Sequence, residues 1–365
     1  MKKRLAIILA LVLALSMVLV ACDKSGNEDQ PKTGGDDGEM LIEVVAKGFQ
    51  HQFWKAVEQG AMDAGKELGV KVHFVGPDTE ENIEQQVGFM QDAISAKPAA
   101  ICLAALNTES MKQSLEETKA QNIPVIGFDS GVPGAPEGSI AANASTDNNA
   151  AGALAAEELY KLVKDEIDGA DKAVRIGVVS QETNSESIIG RTVGFIDKMK
   201  ELVGADKVAV VGNQFYSKDG GDEATAKVIL DVGVPAKIEN AEADATAVAL
   251  LDKADLIAIY GSNEFSANAI VRAGESAGDK IGNRAEDPTK VWAVGFDAGK
   301  VLKDAVRDGR LVGGITQDPV QIGYKAVELA VKAAKGEAVE DVDTGARWYT
   351  ADNMDDAEIA PLLYD

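Results

Sequence analysis

The chain is 365 residues long and carries 36 Lys and Arg against 60 Asp and Glu, a formal charge of −24. An acidic balance with no basic patch in the body of the chain excludes the electrostatic footprint of a nucleic-acid binder and favours solubility. Roughly 325 residues remain after an unusual N-terminal stretch, too many for one small core and well suited to two domains of about 150 each.

That N-terminal stretch reads first. Lys2, Lys3 and Arg4 precede residues 5–20, an apolar run interrupted only by Ser16. The run is shorter than the ~18–20 residues of a spanning helix, so it reads as the apolar core of a secretory signal. It ends in Leu19-Val20-Ala21-Cys22, which resembles a lipobox. That pattern implies cleavage before Cys22 and a diacylglycerol on its thiol, enough for stable anchoring to a membrane surface. Residues 23–39 contain no large apolar side chain and cannot offset their ordering entropy, so a flexible tether is expected. The expected plan is therefore a signal over 1–21, a lipidated tether over 22–39 and a folded body held outside the membrane. With Cys22 lipidated, Cys102 has no partner, and its apolar surroundings mark it as a small buried hydrophobe.

Within the body, strands alternate with helices. Strands are expected over 41–47, 70–75, 99–105, 124–128 and 139–145, with helices over 53–68, 83–94 and 109–121 between them. A long Ala- and Leu-rich helix follows from Asp147 to about Val163, and 165–171 reads as a charged turn. The alternation restarts with strands over 174–179, 208–211, 256–260, 291–296 and 314–316. Helices are expected over 187–203, 221–231, 264–276, 298–308 and 319–335. Such alternation implies parallel sheets built from βαβ units. The fold class is α/β, with two similar doubly wound parallel-sheet lobes.

In open α/β sheets, ligands bind beyond the carboxyl ends of the strands. Polar residues recur there: Asn107, Asp129-Ser130, Asn263-Glu264, Asp297 and Gln317-Asp318, joined by His51, Phe53 and Trp54 at the first strand–helix junction. Each carboxylate or amide can bond two hydroxyls, and a flat ring can cover the C–H face of a sugar. A single aspartate of this kind would read equally as a helix cap, but recurrence at several strand ends points to a polyhydroxylated ligand.

The ordered segments Phe53-Trp54-Lys55-Ala56-Val57-Glu58-Gln59-Gly60-Ala61, Ile126-Gly127-Phe128-Asp129-Ser130, Thr146-Asp147-Asn148-Asn149-Ala150-Ala151-Gly152, Gly190-Arg191-Thr192-Val193-Gly194-Phe195, Val294-Gly295-Phe296-Asp297 and Thr316-Gln317-Asp318-Pro319 resemble the type I periplasmic-binding-protein-like family, in its ribose- and galactose-binding branch. The resemblance covers roughly residues 41–352. It implies two lobes joined by a three-crossing hinge, with crossings near Thr146, Gln317-Asp318 and Arg347. The lobes would comprise 40–146 plus 318–347, and 147–317 plus 348–365. It further implies that Phe53 and Trp54 pack on the ligand with His51 ahead of them, that Asp129 and Arg191 contact it, and that Asn263, Asp297 and Gln317 complete the set. Phe215 or Tyr216 would supply a second aromatic plate. Two departures, Ser130 where ribose binders often carry arginine and His51-Gln52 in place of an Asn-Pro approach, point away from ribose toward another pentose, a hexose or a polyol.

The implied partners are a small sugar or polyol and the membrane permease of an ABC importer, with no nucleic acid, cofactor or metal, and a monomer is expected. The competing reading is a sensor subunit presenting a sugar-like signal to a membrane receptor or kinase. An enzyme is disfavoured. Gly274-Glu275-Ser276-Ala277-Gly278 matches G-x-S-x-G, yet both histidines, His51 and His73, precede it and it falls at a helix end. A calcium loop starting at Asp165 fails because Ile167 and Ile176 occupy ligand positions. No phosphate-binding Gly-x-x-x-x-Gly-Lys loop occurs.

Overall fold

The computed structural model describes residues 39–218 and 220–364; the signal, Cys22 and all of the tether before Glu39 lie outside the described residues. Five parallel strands open the fold: β1 (Leu41–Val45), β2 (Lys71–Val75), β3 (Ala100–Leu103), β4 (Val125–Phe128) and β5 (Ala142–Ser145). Helices α1 (Gln52–Leu68), α2 (Ile83–Ser95) and α3 (Thr108–Ala120) connect them. A second parallel set contains β6 (Val174–Val179), β7 (Val208–Gly212), β8 (Val228–Gly233), β9 (Leu256–Gly261), β10 (Trp292–Phe296) and β11 (Gly313–Gln317). Its helices are α4 (Asn148–Gly169), α5 (Glu186–Val203), α6 (Asn240–Leu251), α7 (Glu264–Ser276) and α8 (Lys300–Arg307). Helix α9 (Pro319–Ala334) and the short strands β12 (Val342–Asp343) and β13 (Ala346–Tyr349) complete the chain.

The strands form two sheets, ordered β12-β5-β4-β3-β1-β2 and β13-β11-β10-β9-β6-β8-β7. The centre of each sheet is covered on both faces, which is why β3, β4, β9, β10 and β11 are buried throughout rather than alternately. In β3, Ala100 and Cys102 point to the layer of α1 and α9, whereas Ile101 and Leu103 point to that of α2 and α3. Cys102 is accordingly buried.

Three crossings join the lobes. The chain leaves the first sheet after β5, returns through Asp318 into α9, and leaves again between β12 and β13. β12 pairs with β5, whereas β13 runs antiparallel to β11, with Arg347 opposite Thr316. The last crossing therefore falls at Thr344-Gly345, just ahead of the expected Arg347.

Each lobe contains one helix pair pressed together through reciprocal glycines. In the first, a Cβ on Gly60 of α1 would overlap the Val320 carbonyl, and one on Gly323 of α9 would overlap that of Val57. In the second, a Cβ on Gly152 of α4 would overlap the Arg191 carbonyl, and one on Gly194 of α5 that of Asn149. Absence of side chains lets these backbones meet, and in the second lobe the contact holds the turn of α5 that carries Arg191.

Two expectations are corrected, and one helix lies where none was expected. Residues 221–231 do not form a helix: Val228–Gly233 is β8, inserted between β6 and β7, because its Val-Ile-Leu-Asp-Val run is buried on both faces of the sheet. Helix α4 continues through 165–169, expected as a turn, since Ile167 extends the buried stripe of Leu159 and Val163. Helix α6, with Ala243, Ala247, Leu250 and Leu251 as its buried stripe, does not stand out in the sequence because its apolar residues are spread around the helix and form no distinct face.

Candidate functional site

The carboxyl ends of both sheets face one cleft, and the two lobes meet it with the same local device. Gly127-Phe128-Asp129 ends β4 and Gly295-Phe296-Asp297 ends β10. Both aspartates sit at positive φ, 53° and 74°, a left-handed turn that Asp tolerates better than most side chains. Their amides donate to the neighbouring strands, Asp129 to Ala144 O at 3.1 Å and Asp297 to Ile315 O at 2.6 Å. The turn ends each strand abruptly, and both carboxylates line the cleft.

Arg191 of α5 lies between them. Its Nη2 is 3.9 Å from Asp129 Oδ1 in the first lobe and its Nη1 is 3.7 Å from Asp297 Oδ2 in the second. Asn148 Oδ1 accepts from Nε at 2.9 Å, and the guanidinium lies 4.1 Å from the centroid of the Phe296 ring. Those ion-pair separations are too long for hydrogen bonds, so the Nη donors and carboxylate oxygens keep capacity for a third group. Asp297 is held by Gln317 Nε2 at 2.7 Å and the Glu264 amide at 3.0 Å.

A second chain of bonds spans the cleft. Asn263 caps α7, accepting from Ser266 N at 3.0 Å, and donates to Gln181 Oε1 at 2.6 Å. Gln181 donates onward to Glu80 Oε2 at 2.8 Å, and Trp54 Nε1 donates to Glu80 Oε1 at 2.7 Å. Phe53 packs edge-on to Trp54, and His51 lies edge-on to Phe265 of the other lobe. Together these residues enclose a cavity of about 20 Å³. Lys47 and Glu80 also line a larger one, of about 250 Å³, at the cleft mouth.

Of the residues expected from sequence, His51, Phe53, Trp54, Asp129, Arg191, Asn263, Asp297 and Gln317 line one cavity. Ser130 lies just behind it and accepts from the Ser187 amide at 3.3 Å across the lobes. Asn107 does not reach it; its side chain caps α3 through Ser110 N at 2.9 Å. Phe215 is misplaced by the sequence reading. It follows the edge strand β7 and is 51 % exposed, while Tyr216 is buried with its hydroxyl donating to Glu182 O at 3.2 Å. Sequence reasoning missed Lys47, Glu80, Gln181 and Ser187. Lys47 and Gln181 stand two residues beyond β1 and β6, so the strand-end rule could have found them.

The sequence profile of the periplasmic binding protein domain matches residues 42–338. The chain belongs to the periplasmic binding protein family. Among its relatives, the ribose import binding protein of Escherichia coli is 25% identical over 82% of this chain and 86% of its own length. That of Bacillus subtilis is 24% identical over 93% and 96%. Among solved structures, an ABC transporter solute-binding protein from Agrobacterium vitis with bound D-fucose is 30% identical, with a TM-score of 0.73 over 89% of this chain and 100% of that one. A protein from Brachyspira murdochii, described as an ABC transporter of the LacI transcriptional-regulator family, is 39% identical, with a TM-score of 0.76 over 90% and 100%. This periplasmic binding protein is a binding protein and not an enzyme. Among its described residues no helix is long and apolar enough to cross a membrane, and no cluster of His, Cys, Asp and Glu could hold a metal ion.

The binding protein's cleft is electrostatically uneven. Burial, together with the nearby Asp297 and Glu80 charges, pushes the Glu264 carboxyl up to about 8, despite a hydrogen bond from Tyr364. Burial likewise pushes Asp129 up to about 6 against the pull of Lys47 and Arg191. Burial also opposes ionisation of Glu80, but Lys47, His51 and the bonds from Gln181 and Trp54 outweigh it and hold that carboxyl below its ordinary value.

The raised groups give a signed prediction. Between the ordinary carboxylate range and about 8, the native protein holds a proton on Glu264 that the unfolded chain has released. Native stability must then fall as pH rises through that window and level off above it. Denaturant midpoints from pH 5 to 8 should decline, and decline less in Glu264→Gln; equal slopes in both proteins would contradict this assignment.

Proposed function

We propose that the protein is an exported, lipid-anchored solute-binding protein that captures a monosaccharide or polyol by hinge closure and delivers it to an ABC importer. The observation that carries this reading is Arg191 set between Asp129 of one lobe and Asp297 of the other, with hydrogen-bonding capacity left on all three. A sugar hydroxyl both donates and accepts, so adjacent hydroxyls can bridge a carboxylate and a guanidinium where neither reaches the other directly. A ligand held this way contacts both lobes only when they are closed, and its binding free energy therefore favours the closed form.

The names of relatives support the ligand class. Besides the ribose import proteins, an Escherichia coli relative 23% identical over 85% of this chain is named as D-allose-binding. A solved Agrobacterium radiobacter solute-binding protein, 26% identical with a TM-score of 0.72, holds D-arabinose. Ser130 and His51 favour a ligand other than ribose. The lipid anchor rests on Cys22 and the segment before it; Cys22→Ser should move the protein from the detergent phase to the aqueous phase on Triton X-114 partition. The site asks for no cofactor, and the working unit is a monomer that docks on its permease through both lobes.

A thermal-shift screen across pentoses, hexoses, polyols, nucleosides and amino acids tests the reading. A ligand at 100 times its Kd adds about 2.7 kcal/mol. A sugar or polyol should raise Tm, and Arg191→Ala and Asp297→Ala should each abolish the shift while keeping the native circular dichroism spectrum. Stabilisation by nucleosides or amino acids alone would defeat the sugar assignment, and unchanged binding in both variants would defeat the site.

A further inference from the structure

The closed cleft does not balance its own charge. Two permanent cations, Lys47 and Arg191, line the inner cavity with four carboxylates, Glu80, Asp129, Asp297 and Glu264. Both cations are committed to the aspartates: Lys47 lies 3.9 Å from Asp129, and Arg191 lies within 4 Å of Asp129 and Asp297. Among the described residues, no cation forms an ion pair with Glu264 or Glu80, and only Glu80 feels the pull of one, Lys47. Protonation of His51 would still leave the cavity short of one positive charge. Buried carboxylates without a counter-charge are expensive, and such a site is resolved by a proton or by a cation brought from outside.

Hydrogen bonding is lopsided in the same direction. Tyr364 Oη, 3.2 Å from Glu264 Oε2, is the only side-chain donor to the Glu264 carboxylate among the described residues. Gln317 Oε1 is buried with no hydrogen-bond partner among the described residues, while its amide nitrogen donates to Asp297. Nothing among the described residues donates a hydrogen bond to the Asp129 carboxylate, whose two cations stand off at 3.9 Å. Between Glu264 and Gln317 Oε1 the cleft thus offers spare acceptors, while its unused donors, on Arg191 and Lys47, are turned toward the aspartates. An ammonium supplies three donors, no acceptor and one positive charge.

We infer that the captured molecule is an amine-bearing polyol, an amino sugar in its ammonium form, with its nitrogen on the Glu264 side of Asp297. The inference rests on the sugar reading above and narrows it. The high proton affinity of Glu264 agrees with it, since the carboxyl keeps a proton when no cation is beside it. Its amine-free analogues would leave Glu264 to hold that proton and Gln317 Oε1 to find a hydroxyl.

Titration calorimetry on the full folded body at pH 7 tests this with matched pairs: D-glucosamine against D-glucose, D-galactosamine against D-galactose, D-mannosamine against D-mannose, and each N-acetyl derivative. In the pair that fits, the amino sugar should bind at least about 10-fold more tightly than its neutral partners. Glu264→Gln should remove most of that preference, Glu264→Asp should keep it, and Asp129→Asn should weaken both members of the pair alike. The conservative Asp variant separates loss of charge from loss of packing if the Gln variant folds poorly. Neutral sugars binding as tightly as their amino counterparts would overturn the inference and leave the sugar reading standing. Binding of putrescine but of no sugar, or of none of these compounds, would overturn both.

Discussion

One buried guanidinium shared by two lobes organises this molecule. Arg191 is 3% exposed and is oriented by the Asn148 amide and the Phe296 ring, leaving its outer nitrogens between Asp129 and Asp297. A buried arginine is tolerable only if it is paired. Its partners come from different sheets, so the charge balance of the second lobe is completed by the first. The left-handed aspartate at each central strand end, the reciprocal glycines of α4 and α5, and the Asn263–Gln181–Glu80 relay all serve to hold that arrangement. A polar ligand fits into the same scheme, because the ion pairs are set slightly too far apart to be hydrogen bonds themselves.

The two lobes solve one problem twice. Gly-Phe-Asp closes β4 in one and β10 in the other, and a glycine-paired helix couple covers each sheet. The repetition places two carboxylates facing each other across the cleft. The surrounding residues then break the symmetry: Lys47 and Glu80 come from the first lobe, Arg191 and Glu264 from the second. Among the described residues Glu264 has no cation of its own, whereas Asp129 has two.

Much of this was legible in the residues. Apolar runs and helical spacing located most strands and helices, and the rule that ligands sit beyond strand ends picked out Asp129, Asn263, Asp297 and Gln317. Failures have physical causes. The segment around β8 is rich in Gly and Asp before its apolar run, and only its insertion between β6 and β7 makes it a strand. Phe215 and Tyr216 look like a cleft pair in one dimension, but an edge strand carries them away from the centre. Lys47 and Glu80 act across the cleft, and a lysine after one strand and a glutamate in a loop after the next show nothing of their meeting until the sheet is closed.

Closure of the lobes around the ligand is the claim on which the account turns. Small-angle X-ray scattering of the folded body, with and without a sugar that raises its Tm, measures it directly. The account predicts a smaller radius of gyration in the saturated protein, with the ligand-free protein sampling more open forms. Superimposable profiles at saturating ligand would contradict it.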